Sequence, residues 1–268
     1  MRKYKQLILI GCFFFLCSCS QSKDLEISGS TSVAPLMNKL VEQYQKDTNQ
    51  KININADGSS AGIKAASENL ANIGMVSREV EKDELALGLK SEVIAIDAMA
   101  VIVNKDNQVT NLSQQELCDI YSGKIKNWSE VGGKNLGIVI VSREYGSGTR
   151  NAFEEITGLL NEDKSSNTNA KAIIVNSTGA VIENVQQKEG AIGYLSLGSI
   201  TENTKTISIN NIEPTKRNVL RNKYLLTRNF NIVTKNADDK TKAFIEFIHS
   251  EKGHEIIAEE GFINVSQD

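Results

Sequence analysis

The chain has 268 residues, with 30 Lys and Arg against 33 Asp and Glu, four Cys, two His and 6% aromatic residues. Its mild acidity argues against nucleic acid or a broadly anionic membrane as partner, and four scattered cysteines exclude a disulfide scaffold or a Cys-rich metal site. The length allows one large or two small domains, stabilised by apolar burial rather than by covalent staples.

The N-terminus opens with Arg2, Lys3 and Lys5, then an apolar run from Leu7 to Cys17. That run is about half of what a bilayer span needs, so residues 1–18 read as an export signal. Its end, Leu16-Cys17-Ser18-Cys19, resembles a bacterial lipobox, which implies cleavage before Cys19 and a lipid on its sulfur. Residues 19–24 would then be a short tether, and the protein would sit on a bacterial membrane facing the periplasm or the exterior. Loss of residues 1–18 removes three basic residues and no acid, which leaves a net charge of −6. Cys12 and Cys17 leave with the signal, so Cys118 stands alone.

Leu25–Ser28 reads as a strand, and Val33, Leu36, Met37, Leu40, Val41 and Tyr44 recur at helical spacing up to about Asp47. Pro35 fits the first turn, where its missing N–H costs little. Ile52–Ala56 alternates as a half-buried strand, a helix is expected over about Ile63–Leu70, and Ile73–Val76 is a short buried strand. Val93–Val103 is a long apolar run broken only by Asp97, long enough to leave one sheet and enter another. Ser113 and Glu116 form a capping box for a helix that stops before Gly123. Strands follow at Gly137–Ser142, Ala172–Val175, Ala191–Leu195 and Phe230–Thr234, then helices at Ala237–His249 and about Gly253–Glu260. Strand alternating with helix is the pattern of a layered α/β fold, here in two units.

Four short clusters stand where a strand gives way to a helix: Gly29-Ser-Thr-Ser32, Gly58-Ser-Ser60, Gly146-Ser-Gly-Thr-Arg150 and Asn176-Ser-Thr-Gly179. Helix N-termini present unpaired N–H groups and the positive end of the dipole; Ser and Thr cap them, and Gly admits a ligand to the backbone. Each cluster alone is an ordinary cap, but several aimed at one point make an anion cradle. The third is preceded by Arg143, whose fixed fork of donors suits a tetrahedral oxyanion. Charge-assisted bonds of this kind contribute about 1.5–3 kcal/mol each, so several reach the roughly 8 kcal/mol of a micromolar complex. Ser142 reads as a strand end. The fourth cluster fits either a plain cap or a further set of donors.

Arg143-x-x-Gly-Ser-Gly-Thr149 resembles the anion-binding motif of the phosphate-binding proteins of bacterial ABC transporters. Gly29–Leu36, Gly58–Gly62, Gly123–Trp128, Gly190–Tyr194, Arg228–Val233 and Phe244–Gly253 match the same family in order, from about residue 24 onward. The resemblance implies an α/β, two-lobed periplasmic-binding-protein fold of type II, with the ligand cleft between lobes joined by two crossing strands. Residues 25–103 and 226–268 would form one lobe, and 104–225 the other. It implies inorganic phosphate as ligand, the permease subunits of an importer as partners, a monomer, no cofactor and no catalysis. By matching positions, Thr31, Ser32 and Ser60, with Ser59 nearby, bind from one lobe, and Arg143, Ser147, Gly148 and Thr149 from the other.

Well-known members carry Asp directly after the Ser that matches Ser77, where it accepts a hydrogen bond from protonated phosphate; here Arg78 stands in its place, as in some other members. Asp97 is then open to two readings: the missing acceptor, with Arg78 paired to it or to the anion, or one half of a structural ion pair. Other functions fit less well. The turn at Ser147 lacks the spacing of a nucleophile elbow, and His249 and His254 lie far along the chain, outside any zinc-protease frame. A receptor for sulfate, molybdate or tungstate would share the donor chemistry. A surface lipoprotein with a vestigial site would not need Arg143, Ser147 and Thr149. Trp128 reads as packing rather than a stacking platform.

Overall fold

A computed structural model describes residues 24–202 and 204–265; the export signal of residues 1–18, Cys19 and all but the last residue of the tether lie outside the described residues. In chain order the elements are β1 (Leu25–Gly29), α1 (Ala34–Thr48), β2 (Ile52–Asn55), α2 (Ser59–Ser67), β3 (Ile73–Val76), α3 (Lys82–Leu85) and β4 (Lys90–Val103). There follow β5 (Asn111–Leu112), α4 (Gln114–Tyr121), β6 (Val139–Arg143), α5 (Gly148–Thr157), β7 (Ile173–Val175), α6 (Thr178–Gln187) and β8 (Ala191–Ser196). The chain ends with β9 (Lys205–Ile209), α7 (Lys216–Leu220), β10 (Thr227–Thr234), α8 (Asp239–Ile248) and α9 (Glu251–Glu259).

The strands run β2-β1-β3-β10-β4-β8-β6-β7, with β9 paired to β4 and β5. At one end β2, β1 and β3 are parallel, and at the other β8, β6 and β7 are parallel. Between them β4 serves both halves: residues 90–98 pair with β10, and residues 99–103 pair with β8, as the long apolar run predicted. The chain returns beside it at Leu226, whose carbonyl accepts from the Met99 N–H at 2.7 Å. These are the two crossings of a two-lobed fold, with a separate core on each side.

The first core joins α1, α8 and α9 to β1, β3 and β10 through Leu36, Met37, Leu40, Phe230, Phe244 and Ile257, all fully buried. The second is aromatic at its centre: Phe153 stacks on Tyr194 with centroids 3.9 Å apart, and Tyr121 meets Phe153 edge-on. Trp128 is buried there and donates to the Gly190 carbonyl at 2.9 Å, so it is packing. Each such side chain contributes about 1.5–3 kcal/mol of transfer free energy.

Local signals explain the helix starts. The Ser113–Glu116 capping box opens α4 as expected. The second helix differs: α2 begins at Ser59, four residues before the expected Ile63, because its first turn is small and polar and carries no apolar periodicity.

Candidate functional site

Parallel strands bring their carboxyl ends to one edge, where open α/β sheets bind ligands. The four Gly/Ser/Thr turns leave β1, β2, β6 and β7 there and start α1, α2, α5 and α6. Gly29 has φ +137°, and a Cβ on it would lie 2.3 Å from the Met75 carbonyl oxygen, so only glycine lets β1 turn out beside β3. The Gly58 N–H donates to the Gly29 carbonyl at 2.8 Å, which ties the first two turns together.

Contacts then cross between the halves. Ser32 Oγ and Thr149 Oγ1 are 2.8 Å apart, and the Ser60 N–H donates to the Gly146 carbonyl at 3.1 Å. Thr178 joins from the fourth turn, with its Oγ1 3.2 Å from Ser32 Oγ and 3.3 Å from Thr31 Oγ1. Thr178 therefore belongs to the cluster, while Ser177 caps α6 through the Ala180 N–H. Gly148 has no room for a side chain: a Cβ would meet Ser59 Oγ at 2.3 Å and Ser77 Oγ at 2.9 Å. A crevice lined by Thr31, Pro35, Ser177 and Thr178 opens at the edge of this cluster.

Beneath the turns lies a chain of buried hydroxyls. Ser30 Oγ accepts from the Ser32 and Val33 N–H groups and donates to Ser77 Oγ at 2.8 Å. Ser59 Oγ lies 3.3 Å from Ser77 Oγ and accepts from the Ser77 N–H. Ser59 is fully buried, whereas the Ser60 side chain is exposed, so the second turn presents the Ser59 hydroxyl. Ser77 was not among the residues expected here; its position at the end of the short buried strand β3 is the signal that could have found it. Ser147 Oγ accepts the Arg150 N–H as the cap of α5 and keeps its own hydrogen to donate. Ser142 bonds the Tyr194 hydroxyl inside the core.

Arg143 ends β6 and is 2% exposed. Its Nε and Nη2 donate to the two oxygens of Glu144, each at 2.9 Å, which leaves Nη1 without a hydrogen bond among the described residues. Arg150 supports it from behind by donating from Nη1 to the Arg143 carbonyl.

Of the two readings of Asp97, the geometry shows the structural ion pair, though not with Arg78. Arg78 does not meet Asp97: its guanidinium grips Glu84 in a fork at 2.8 and 2.7 Å and donates to the Glu79 carbonyl. The competing carboxylate lies only six residues away, in the first turn of α3, a helix too short to show in the apolar spacing. Burial works against both charges, but the pairing outweighs it, lowering the Glu84 carboxyl and raising the Arg78 guanidinium. Asp97 is paired instead with Arg228 of β10, whose Nε and Nη2 both donate to Oδ2, at 3.0 and 2.9 Å. Ser196 donates to Asp97 Oδ1 at 2.8 Å, so both oxygens of this carboxylate are engaged. Burial pushes the Asp97 carboxyl up, against the pull of Arg228 and Ser196. Burial likewise lowers Arg228, with the nearby Arg143 charge adding to the effect. Arg228 also donates from Nη1 to the Ser77 carbonyl, which fixes the end of β3 at the cluster.

The arrangement is rich in donors: hydroxyls, the N-termini of four helices and the Arg143 cation, most of them withdrawn from water. It suits an oxyanion. No group of three or more His, Cys, Asp or Glu able to hold a metal occurs among the described residues.

Residues 18–252 match the PBP superfamily domain. The chain is 33% identical over 279 residues to a phosphate-binding protein PstS of Borreliella burgdorferi, covering 99% of each chain. It is 32% identical to a phosphate-binding protein PstS of Bacillus subtilis, over 91% of this chain and 82% of that one. Among solved structures, a protein of Clostridium perfringens described as a phosphate ABC transporter substrate-binding protein with bound phosphate superposes with a TM-score of 0.87. That structure shares 40% identity, over 91% of this chain and 100% of its own. On these similarities, and on the fold and motifs that run with them, the chain belongs to the family of phosphate-binding proteins of bacterial phosphate ABC transporters.

Proposed function

We propose that this protein is the extracytoplasmic receptor of an ABC importer, binding one inorganic phosphate between its lobes and passing it to the permease subunits. The observation that carries the reading is the convergence of four helix-opening turns and Arg143 on one buried cluster. Thr31, Ser32 and Ser59 would hold the anion from the lobe of residues 25–103 and 226–268, with the Ser60 N–H tying that lobe to the Gly146 carbonyl. Arg143, Ser147, the Gly148 N–H and Thr149 would hold it from the lobe of residues 104–225. Ser77 and Thr178 are added as donors; Arg78 and Asp97 act through structure rather than by touching the anion. The protein works without cofactor or catalysis, as a monomer held to the membrane by a lipid on Cys19. Mass spectrometry of the mature N-terminus tests the anchor: a diacylated cysteine is expected, and an unmodified one overturns it.

A receptor for another tetrahedral oxyanion is the second reading. It is favoured by one observation: Asp97 and Glu84, the acids beside Ser77 and Arg228, are both engaged by arginines, so neither is free to accept from a protonated ligand. Calorimetric titration of residues 24–268, stripped of anion, separates the two. Tight one-to-one binding of phosphate with weak or no binding of sulfate is expected at pH 7. Preference for sulfate would overturn the phosphate reading.

A further inference from the structure

Outside the anion cluster, one ion pair among the described residues spans the two halves. Lys164 lies in the loop between α5 and β7, and its ammonium pairs with the carboxylate of Glu81, just ahead of α3. Both ends are wired to the site. On the Lys164 side the loop is closed by the Leu160–Ser166 bridge and hung from α5, where Arg150 donates both to Ser166 and to the Arg143 carbonyl. On the other side Glu81 caps α3, and Asp83 and Glu84 make its first turn acidic. The Arg78 guanidinium holds that turn through Glu84, directly after Ser77. Arg78 is buried and hydrogen-bonded to Glu84, so it anchors the turn, while Glu81 and Asp83 act on it only through space.

We propose that Lys164 and Glu81 form an ionic latch across the cleft, made when the lobes close on the anion and broken when they open, so that it sets how long the ligand is retained. The proposal rests on the phosphate-receptor reading. Lys164 is 69% exposed and Glu81 34%, so salt screens the pair far more than it screens the buried donors. The latch thus acts on release, where an exposed pair shifts a rate by a few-fold.

The test is a chase of radiolabelled phosphate from the full chain in detergent, comparing wild type, Lys164→Met, Glu81→Gln and the double variant at low and high salt. Each single variant is expected to release phosphate about threefold faster at low salt. The double variant should release no faster than either single one, and all four should converge at about 1 M salt, where the Debye length is about 3 Å. Wild-type release rates in both single variants, or effects that multiply in the double variant, overturn the latch. A wild-type chain that retains no phosphate overturns the receptor reading itself.

Discussion

At the scale of single residues, two arginines that follow strands have opposite fates. Arg143 is held by Glu144 through Nε and Nη2 and keeps Nη1 for another partner, whereas Arg78 spends itself on Glu84. Substitution of each with methionine therefore separates binding from stability. Arg143→Met should weaken phosphate binding by about a hundredfold, as the loss of one or two charge-assisted bonds requires. Arg78→Met should leave affinity within about threefold but lower stability by about 1.5–3 kcal/mol, because Glu84 loses its partner. Titration calorimetry and urea unfolding read the two quantities; equal losses of affinity in both would put Arg78 back in the site. Asp97→Asn should be costlier, about 3–5 kcal/mol by urea unfolding, since it strands the fully buried Arg228 charge. A loss under 1 kcal/mol would mean that this pair contributes little. Arg143 could be read from the chain because its signal is local, a strand running into Gly-Ser-Gly-Thr. Arg228 could not be matched to Asp97, because 131 residues separate them and only the fold brings β10 beside β4.

Among the elements, those with a full apolar stripe or a cap were legible: α1 from six buried positions, α4 from its capping box, β4 from its long run broken only by Asp97. The short helices α3 and α7 were not, because four or five residues cannot display a helical period, and β9 was missed although Ile207 and Ile209 alternate in it. Convergence of the four turns was legible only as a possibility, since it depends on sheet order. The contact between α5 and α2 gives it a test. Alanine at Gly148 would favour the helix by about 0.5–1 kcal/mol relative to glycine, yet its Cβ would press on Ser59 and Ser77 in the other half. The protein can relieve that clash by opening. Gly148→Ala should therefore melt no lower than wild type without ligand, while its phosphate affinity falls at least tenfold. Loss of stability in the ligand-free chain would place the clash inside one lobe instead.

For the whole molecule, the proposed site between two lobes makes binding and closure one equilibrium. The two parallel sheet ends each bring half of the donors, and an open cleft would offer the anion only one half. Only a ligand that contacts both halves has the differential affinity that favours closure. Phosphate should therefore compact the protein, and small-angle scattering should record a smaller radius of gyration on saturation. The same linkage stabilises the fold: ligand at a hundred times its dissociation constant adds about 2.7 kcal/mol. For a chain of this length that corresponds to a melting midpoint raised by roughly 5–10 °C. The two readouts must move together. If phosphate raises the midpoint without compaction, one lobe alone holds the anion, and the contacts of Ser32 with Thr149 and of Ser60 with Gly146 are not made by closure. Gly148→Ala sharpens the point, because a variant obstructed in closing should lose the compaction even at phosphate concentrations that still fill its site.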